Sequence, residues 1–255
     1  CHYNWSRFIT LLSAKVIALI EPLTSGKREK CFVLDDSVIE RSRSKTVELL
    51  ARVYDHVIGK SVRGFNLLTL GWTDHYSFIP VGFNMMSSAK EKHRITEMNA
   101  QIDKRTNGYQ NRLAAIMQKP DAAIALIRNA LNAGIMARYL LMDTWFTVEP
   151  FIKRVLAEGL DVIGMLKDNK QQYWYKGHLY GLRELSKFIC FNSQNEIFGS
   201  ISVKTKYHSI PVKLVFVRNR NKRNEYIVIL TTDRSLSDSE VVRYYGSRWS
   251  IECCF

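Results

Sequence analysis

Two apolar runs that each end in a carboxylate constrain this chain most. The first, CFVLDDS, spans residues 31–37, and the second, ARYLLMDTWF, spans residues 137–146. Short apolar runs of this kind are typical of buried strands. A carboxylate at the end of such a strand can face a cleft, whereas one inside the run needs a partner. The pattern therefore predicts two buried strands, the first ending at Asp35 or Asp36 and the second at Asp143.

The sequence SDSEVVRYYGSRWSIECCF, residues 237–255, predicts a helix that a serine near its start can cap. With about 3.6 residues per turn, Tyr245, Arg248 and Glu252 fall on one face of this helix. An Arg–Glu pair at this spacing is also common on ordinary surface helices, where it contributes only a few tenths of a kcal/mol. The helix is therefore informative only in combination with the two strand-end acids.

Three acids from distant parts of the chain suit a hard divalent cation. Carboxylate oxygens are the ligands that Mg²⁺ prefers, and Mn²⁺ accepts the same donors. Asp35, Asp143 and Glu252 are the candidate ligands, and only the fold can bring them together. Neighbours on a strand point to opposite faces, so the residues alone leave the choice between Asp35 and Asp36 open.

These three segments resemble the catalytic blocks of IS4-type DDE transposases. The matching elements are the DDS, the D-T-W-F after a strand and the Y-x-x-R-x-x-x-E pattern, of which the last is the most specific. The resemblance covers residue 31 to the last residue and implies an RNase H-like catalytic domain. It also implies that Asp35, Asp143 and Glu252 are catalytic and hold Mg²⁺, with Mn²⁺ as a substitute. The family pattern D-x-S/T favours Asp35 over Asp36 as the ligand.

The function implied by this resemblance is magnesium-dependent cleavage of double-stranded DNA at insertion-sequence ends, followed by strand transfer to target DNA. The family implies a hairpin intermediate and a homodimeric complex, with Tyr245 and Arg248 binding phosphates. A lysine follows the family's glutamate by about two helical turns, and this chain stops before that position. It also begins with Cys1 rather than Met, so we expect a fragment of a longer protein.

The predicted fold class is α/β, with a mixed sheet flanked by helices and a β-rich insertion between the second and third acids. Residues 64–86 read as two strands joined by a turn, while residues 120–134 and 147–160 show helical patterns. A further strand is predicted over residues 162–167. The predicted organisation has four parts: an N-terminal helical region and linker (1–30), the first part of the RNase H-like core (31–167), the β-rich insertion (168–234) and the final catalytic helix (235–255).

A basic composition favours a polyanionic partner. Lys and Arg number 37 against 24 Asp and Glu, which gives a net charge of +13. Nucleic acid is the first candidate. A membrane surface is disfavoured because no basic amphipathic helix dominates. We expect a cytoplasmic, nucleoid-associated protein of bacterial type. Its five cysteines lack metal-ligand spacing and are interpreted as reduced thiols.

The densest basic patch lies in the predicted insertion, over residues 201–225. Its RNRNKRN segment predicts a hairpin tip that contacts DNA phosphates, although a solvated hairpin would look similar. The candidate phosphate-binding residues there are Arg218, Arg220, Lys222 and Arg223. Residues 173–175, Tyr-Trp-Tyr, could stack on an unpaired base, but packing in a sheet is the more common role of such residues. The charged stretch 87–120 is either a DNA-facing excursion or a mobile loop with a short helix.

Two alternative functions remain open from the sequence. One is a catalytically inactive, transposase-derived protein that binds DNA without cutting it. The other is a different RNase H-like nuclease, acting on RNA–DNA hybrids or on junctions. The sequence contains no P-loop pattern, so ATP-driven chemistry is unsupported.

Overall fold

A computed structural model describes residues 3–24, 26, 28–168, 171–189, 195–219, 222 and 225–252. The chain divides into two compact units. The first unit comprises residues 1–27, 34–71 and 79–136, and the second comprises residues 28–33, 72–78 and 137–255.

The first unit combines three helices with a small group of strands. Its elements are α1 (Trp5–Ile20), β1 (Cys31–Glu40, from Leu34 onward), β2 (Ala51–Asp55), β3 (Lys60–Thr73, to Gly71), β4 (Phe78–Met86, from Ile79), α2 (Asn107–Ala115) and α3 (Lys119–Asn132). Strand β3 is central, since β1, β2 and β4 all pair with it. Strands β2 and β3 are antiparallel, with Ala51 opposite Gly64. A Cβ at Gly64 would lie 2.1 Å from the carbonyl oxygen of Ile39 on β1, so this close approach of two strands requires glycine.

Helix α1 confirms the predicted N-terminal helix, but its buried face is small and polar. Thr10, Ser13 and Ile17 are its buried residues. The hydroxyls of Thr10 and Ser13 donate to the carbonyl oxygens of Val81 and Pro80 on β4, at 3.1 and 2.6 Å. These hydrogen bonds satisfy strand carbonyls and attach the helix to β4.

The second unit is built on a mixed sheet. Its elements are β5 (Tyr139–Met142), α4 (Glu149–Ala157), β6 (Asp161–Leu166), β7 (Gln172–Tyr175), β8 (His178–Gly181), α5 (Leu182–Ser186), β9 (Ile197–Thr205), β10 (Pro211–Arg218), β11 (Tyr226–Thr231), α6 (Asp238–Gly246) and α7 (Trp249–Glu252). The strand order is β5-β6-β11-β10-β9-β7-β8, with the first residues of β1 beside β5. Strands β5 and β6 are parallel and are connected through α4, whereas β6–β11 and β11–β10 are antiparallel.

The core of the second unit holds helices α6 and α7 against this sheet. Val241, Tyr244, Tyr245 and Ile251 are buried in one cluster with sheet residues. Those sheet residues include Val33, Leu141, Ile163, Val215 and Ile229. A fully buried Val, Leu or Ile side chain contributes about 1.5–3 kcal/mol relative to exposure. The apolar side of the Y-x-x-R-x-x-x-E segment therefore fixes the polar side of that segment relative to the sheet.

The mixed α/β class and the mixed sheet with flanking helices are confirmed, as expected for an RNase H-like fold. Three local predictions were wrong. Strand β1 does not end at Asp35 or Asp36 but continues to Glu40. Strand β2, residues 51–55, was not predicted. The final helix is interrupted at Ser247–Arg248.

In the second unit, β11 pairs directly with β6. The predicted insertion therefore extends the same sheet that contains β5 and β6. None of the helices in the described part of the chain combines the length and the hydropathy needed to cross a membrane.

Candidate active site

The Y-x-x-R-x-x-x-E segment begins with a well-capped helix. Ser237 is the N-cap of α6: its hydroxyl accepts from the Glu240 backbone N–H, and the Glu240 side chain accepts from the Ser237 backbone N–H at 2.8 Å. This capping box satisfies two backbone donors of the first turn. The hydrogen bonds from Ser237 also lower the pKa of the Glu240 carboxyl below its usual range. The predicted start of the helix is therefore confirmed.

Between α6 and α7 the backbone tightens into a turn. The N–H groups of Ser247 and Arg248 donate to residues three positions earlier, Tyr244 and Tyr245, at 3.1 and 3.0 Å. Ile251 likewise donates to the carbonyl of Arg248. Hydrogen bonds of this i→i−3 type form a tighter turn than those of an α-helix and often mark a helix end. The side chains of the segment consequently follow a broken helix rather than a continuous one.

The break keeps the three predicted side chains of this segment together. Arg248 Nη2 donates to Glu252 Oε1 at 2.5 Å, and its guanidinium lies 6.0 Å from the centre of the Tyr245 ring. The Arg248 side chain is 10% exposed, whereas that of Glu252 is 36% exposed. The guanidinium is therefore held inside the protein, and the carboxylate lies nearer solvent, where an exchangeable ligand can reach it.

His75 fastens this turn to the rest of the second unit. Its Nδ1 shares a hydrogen bond of 2.5 Å with Ser247 Oγ, and its ring stacks on Tyr244 at 4.8 Å between centroids. Its Nε2 lies 4.0 Å from Cys31 Sγ. The sequence predicted that His75 lies in a turn, and it gave no sign of a contact with Ser247.

The surroundings of His75 favour its neutral form. Burial lowers the pKa of His75, and the nearby charge of Arg243 lowers it further, against the opposite effect of Asp74. The backbone of His75 is also in the left-handed region, at φ 73°. A positive φ at a non-glycine residue is uncommon, and no local sequence pattern predicts it. The role of His75 therefore becomes visible only through its non-local contact with Ser247.

Asp143 directly follows β5, as predicted. Its Oδ1 accepts hydrogen bonds from the backbone N–H groups of Trp145 and Phe146, at 3.0 and 3.2 Å. Its own carbonyl oxygen accepts from the Thr147 hydroxyl at 2.6 Å. Helix α4 then begins with Val148 as its N-cap. These bonds fix the rotamer of a half-buried carboxylate at the end of a strand.

Asp35 and Asp36 lie within β1 rather than at its end, in the half-buried part of the strand. Asp36 Oδ2 accepts from Lys119 Nζ at 2.8 Å, and both side chains are less than one-fifth exposed. Asp35 Oδ1 accepts from the Asp36 backbone N–H at 2.9 Å. The ion pair gives Asp36 a structural partner within the first unit, and the choice of Asp35 as the ligand stays a prediction.

The predicted DNA-contacting tip is the β10–β11 connection. Arg218 lies at the end of β10, with its guanidinium 5.4 Å from the centre of the Phe198 ring and 2.9 Å from the carbonyl oxygen of Asn195. Lys222 pairs with Glu225 at 3.1 Å. Arg220 and Arg223 lie outside the described residues. Strands β10 and β11 are antiparallel neighbours, as a hairpin requires, and the contact of the tip with DNA stays a prediction.

Several basic residues in the charged stretch 87–120 have carboxylate partners. Arg94 pairs with Glu97 at 2.9 Å, and Arg112 pairs with Glu48. The exposed Arg105 pairs with Asp103. The stretch 87–120 is therefore an ordered segment with α2 and a short 3₁₀ turn (Glu91–His93) in which several charges are already balanced.

A divalent metal was predicted at Asp35, Asp143 and Glu252. The chemistry of these donors fits a hard cation, since all three supply carboxylate oxygens. Asp35 belongs to the first unit, while Asp143 and Glu252 belong to the second. Within the described residues, no group of three or more His, Cys, Asp or Glu side chains forms a ready-made metal cage. The assembly of the three acids around a metal therefore stays a prediction.

Residues 1–177 match the model of the family described as DDE superfamily endonuclease. The matched part contains the first two predicted acids, Asp35 and Asp143. A comparison with curated proteins gives no match.

Proposed function

The chain belongs to the DDE superfamily of endonucleases, and on this premise we propose that it is an IS4-type transposase. The proposed reaction is cleavage of DNA at the ends of an insertion sequence, followed by transfer of the cut strand to target DNA. Membership of this superfamily supports the proposal that the chain is an enzyme that cuts DNA. The narrower proposal rests on the Y-x-x-R-x-x-x-E segment, which lies beyond the residues matched by the family model.

The single observation that carries this proposal is the clustering of Tyr245, Arg248 and Glu252. The ion pair and the ring contact hold these side chains together despite the break between α6 and α7. The buried cluster of Val241, Tyr244 and Ile251 anchors the segment on the sheet. An ordinary surface helix with an Arg–Glu pair would not need its arginine 90% buried.

Asp35, Asp143 and Glu252 are proposed to hold Mg²⁺, with Mn²⁺ as a substitute. Bound divalent ions of this kind activate a water or a 3′-hydroxyl and stabilise charge on the leaving oxygen. The protein's part is to orient the ligands. Asp143 is suited to this because two backbone N–H groups already fix one of its oxygens.

Arg248 and Tyr245 are proposed to bind the DNA backbone near the scissile phosphate. A guanidinium can donate to phosphate oxygens in a forked geometry, and a phenol hydroxyl can donate one further hydrogen bond. The contact with Glu252 also makes Arg248 a positioning residue for that carboxylate. Glu252 would hold the cation, and Arg248 would supply positive charge to the adjacent phosphate.

Double-stranded DNA, both element ends and target, is the proposed substrate, and a homodimer is the proposed active form. The net charge of +13 supports a polyanionic partner. A bacterial nucleoid is the compartment where such a substrate is found.

The test is a cleavage assay with the complete chain and DNA that carries the ends of the source element. The wild type should cut in Mg²⁺, and Asp143→Asn should lose at least about 100-fold in rate, since metal-assisted charge stabilisation supplies several kcal/mol. Asp168→Asn, at an exposed residue of the second unit, is the matched control and should cut normally. DNA binding should persist in both variants.

Two results would refute the transposase. If the wild type binds element ends but cuts nothing in Mg²⁺ or Mn²⁺, the chain is a DNA-binding protein without catalysis. If it cuts RNA–DNA hybrids or junctions in preference to element ends, it is a different RNase H-like nuclease.

A further inference from the structure

One face of the sheet in the second unit carries an open groove of about 550 Å³. Trp174 on β7 pairs with Lys204 on β9, and Lys204 pairs with Pro211 on β10. Side chains at directly paired positions lie on the same face of a sheet. We call this feature the Trp174 groove, and its principal residues are Trp174, Tyr175, Lys176, Ser202, Lys204 and Arg234.

The Trp174 groove is positively charged and not neutralised from within. Lys176, Lys204 and Arg234 line it, and no carboxylate does. In the part of the chain that the structure describes, none of these three cations forms an ion pair. Lys213, opposite Ser202 on the same sheet, differs from them because it pairs with Asp238 at 2.7 Å. The charge of the groove is therefore available to an external anion.

Backbone geometry presents one of these cations at the rim. Lys176 and Gly177 form the two-residue connection between β7 and β8, with φ angles of 47° and 84°. Two consecutive positive φ angles are typical of a type I′ hairpin turn. A lysine in the first position of such a turn costs backbone energy, and it places an ammonium group at an exposed tip.

Aromatic rings lie among the cations. The Trp174 side chain is exposed on the sheet face, with the residue 39% exposed, and its indole Nε1 donates to the carbonyl oxygen of Lys206 at 3.1 Å. Tyr175 packs edge-on against Tyr180 and Phe188. The hydrogen bond fixes the indole orientation, so a planar partner can stack on it without a large loss of side-chain entropy.

We propose that the Trp174 groove binds a segment of single-stranded DNA. Cations that track a backbone, interleaved with aromatic rings, are the elements with which proteins bind unpaired strands. Lys176, Lys204 and Arg234 bind successive phosphates, and Trp174 stacks on one base. In duplex DNA the bases are stacked on each other, so the groove favours an unpaired strand. The inference rests on the proposed function, since such a strand arises where a DNA-cutting enzyme opens a duplex.

The test measures fluorescence anisotropy of a labelled single-stranded oligonucleotide with the complete chain, in EDTA so that cleavage is absent. The double variant Lys204→Glu with Arg234→Glu should bind at least about tenfold more weakly, because it loses two phosphate contacts and adds two negative charges. The matched control, Lys15→Glu with Lys153→Glu, makes the same change of net charge at exposed residues outside the groove. It should bind within about threefold of the wild type.

A second variant separates stacking from charge. Trp174→Ala should weaken single-strand binding about tenfold, which corresponds to the loss of one base–aromatic stack, and should weaken duplex binding much less. The double variant Lys204→Gln with Arg234→Gln removes the two positive charges without adding negative ones, so it repeats the first test with less perturbation. Circular dichroism checks the fold of each protein.

Equal losses in the groove and control double variants, or unchanged single-strand binding by Trp174→Ala, would overturn the proposal. So would tighter binding of duplex than of single strands by the wild type with no response to groove substitutions. This outcome is distinct from failure of the proposed function. Asp143→Asn should bind the oligonucleotide normally, and a chain that never cuts DNA could still lose strand binding when the groove is altered.

Discussion

At the scale of single residues, Asp35 and Asp36 are neighbours on β1 with different surroundings. Asp36 is committed to Lys119 in a pair that is mostly buried. Removing one partner of such a pair leaves an uncompensated charge and is costly. Asp35 Oδ1 instead accepts a hydrogen bond from the backbone N–H of Asp36. The two acids should therefore fail in different ways when substituted.

Asp35→Asn should abolish cleavage, because it removes a proposed metal ligand. Asp36→Asn should retain cleavage within about tenfold but lower the free energy of unfolding by about 1–3 kcal/mol, since Lys119 is left without its carboxylate. Urea unfolding and the cleavage assay measure the two effects. The reverse assignment, with Asp36 as the ligand, would follow if Asp36→Asn abolished cleavage and Asp35→Asn did not.

Glu149 shows how a single buried carboxylate can organise a junction. It accepts hydrogen bonds from the Thr205 hydroxyl and from the backbone N–H groups of Tyr207 and His208. Burial acts to raise the pKa of Glu149, but the hydrogen bonds from Thr205, His208 and Tyr207 outweigh it and lower the pKa below 4.5. It thereby connects the start of α4 to the turn between β9 and β10.

Glu149→Gln should lower the free energy of unfolding at pH 7 by about 1–3 kcal/mol, because charge-assisted hydrogen bonds are lost. A carboxyl whose folded pKa is depressed stabilises the fold above its unfolded pKa and loses that effect as the pH falls through the folded value. The difference between wild type and variant should therefore shrink below pH 4.5. Urea unfolding from pH 7 to pH 3 measures it, and a constant difference would contradict this account.

At the scale of elements, the junction between α6 and α7 depends on a residue from a different part of the sequence. His75 hydrogen-bonds Ser247 and stacks on Tyr244, and Asp74 beside it is fixed by Arg28 at 2.8 Å. The turn over residues 74–77 therefore supports the helix break that presents Arg248 and Glu252.

Ser247→Ala should lower the free energy of unfolding by about 1 kcal/mol through loss of the hydrogen bond with His75. It should also lower kcat for DNA cleavage with little change in KM, because Arg248 and Glu252 become less well positioned. Ser239→Ala, at an exposed serine of α6, is the control. Equal kcat for both variants would show that the junction does not position the site.

The burial of His75 also makes the stability of the fold depend on pH. Burial lowers the folded pKa of His75 below 6.5, so protonation is disfavoured in the folded state. The wild type should lose stability as the pH falls below 6.5, and His75→Phe, which retains the ring stack on Tyr244, should lose less over the same range.

The sequence could predict elements whose signals are local. Helix α3 begins near Pro120 and stops before Gly134, which has a φ of 81°, and β5, α4 and β6 follow clear apolar patterns. Strand β2 escaped because it has only five residues, of which Ala51 and Val53 are buried, so its apolar pattern is short. The break at Ser247 escaped, and the contact that Ser247 makes there joins it to His75, 172 residues away in the sequence. Likewise, the pairing of Asp36 with Lys119 joins residues 83 positions apart.

At the scale of the whole molecule, three carboxylates from distant parts of the chain are proposed to act on one metal centre. Asp143 and Glu252 each have a defined local position in the second unit, and Asp35 has one in the first. Their shared role is proposed for the complete chain bound to DNA, so it is tested in that complex. Substituting all three acids, and comparing that variant with a control in which three other acids are substituted, separates metal ligation from a general electrostatic effect.

The most direct measurement is a Mn²⁺ titration of the complete chain bound to DNA, followed by electron paramagnetic resonance. The wild type should bind Mn²⁺, and the variant Asp35→Asn, Asp143→Asn, Glu252→Gln should lose that binding, because carboxylate ligands supply most of the affinity for a hard cation. The control Glu97→Gln, Asp103→Asn, Glu225→Gln should titrate like the wild type. If the variant lacking the three proposed ligands binds Mn²⁺ as tightly as this control, the proposed metal centre does not exist.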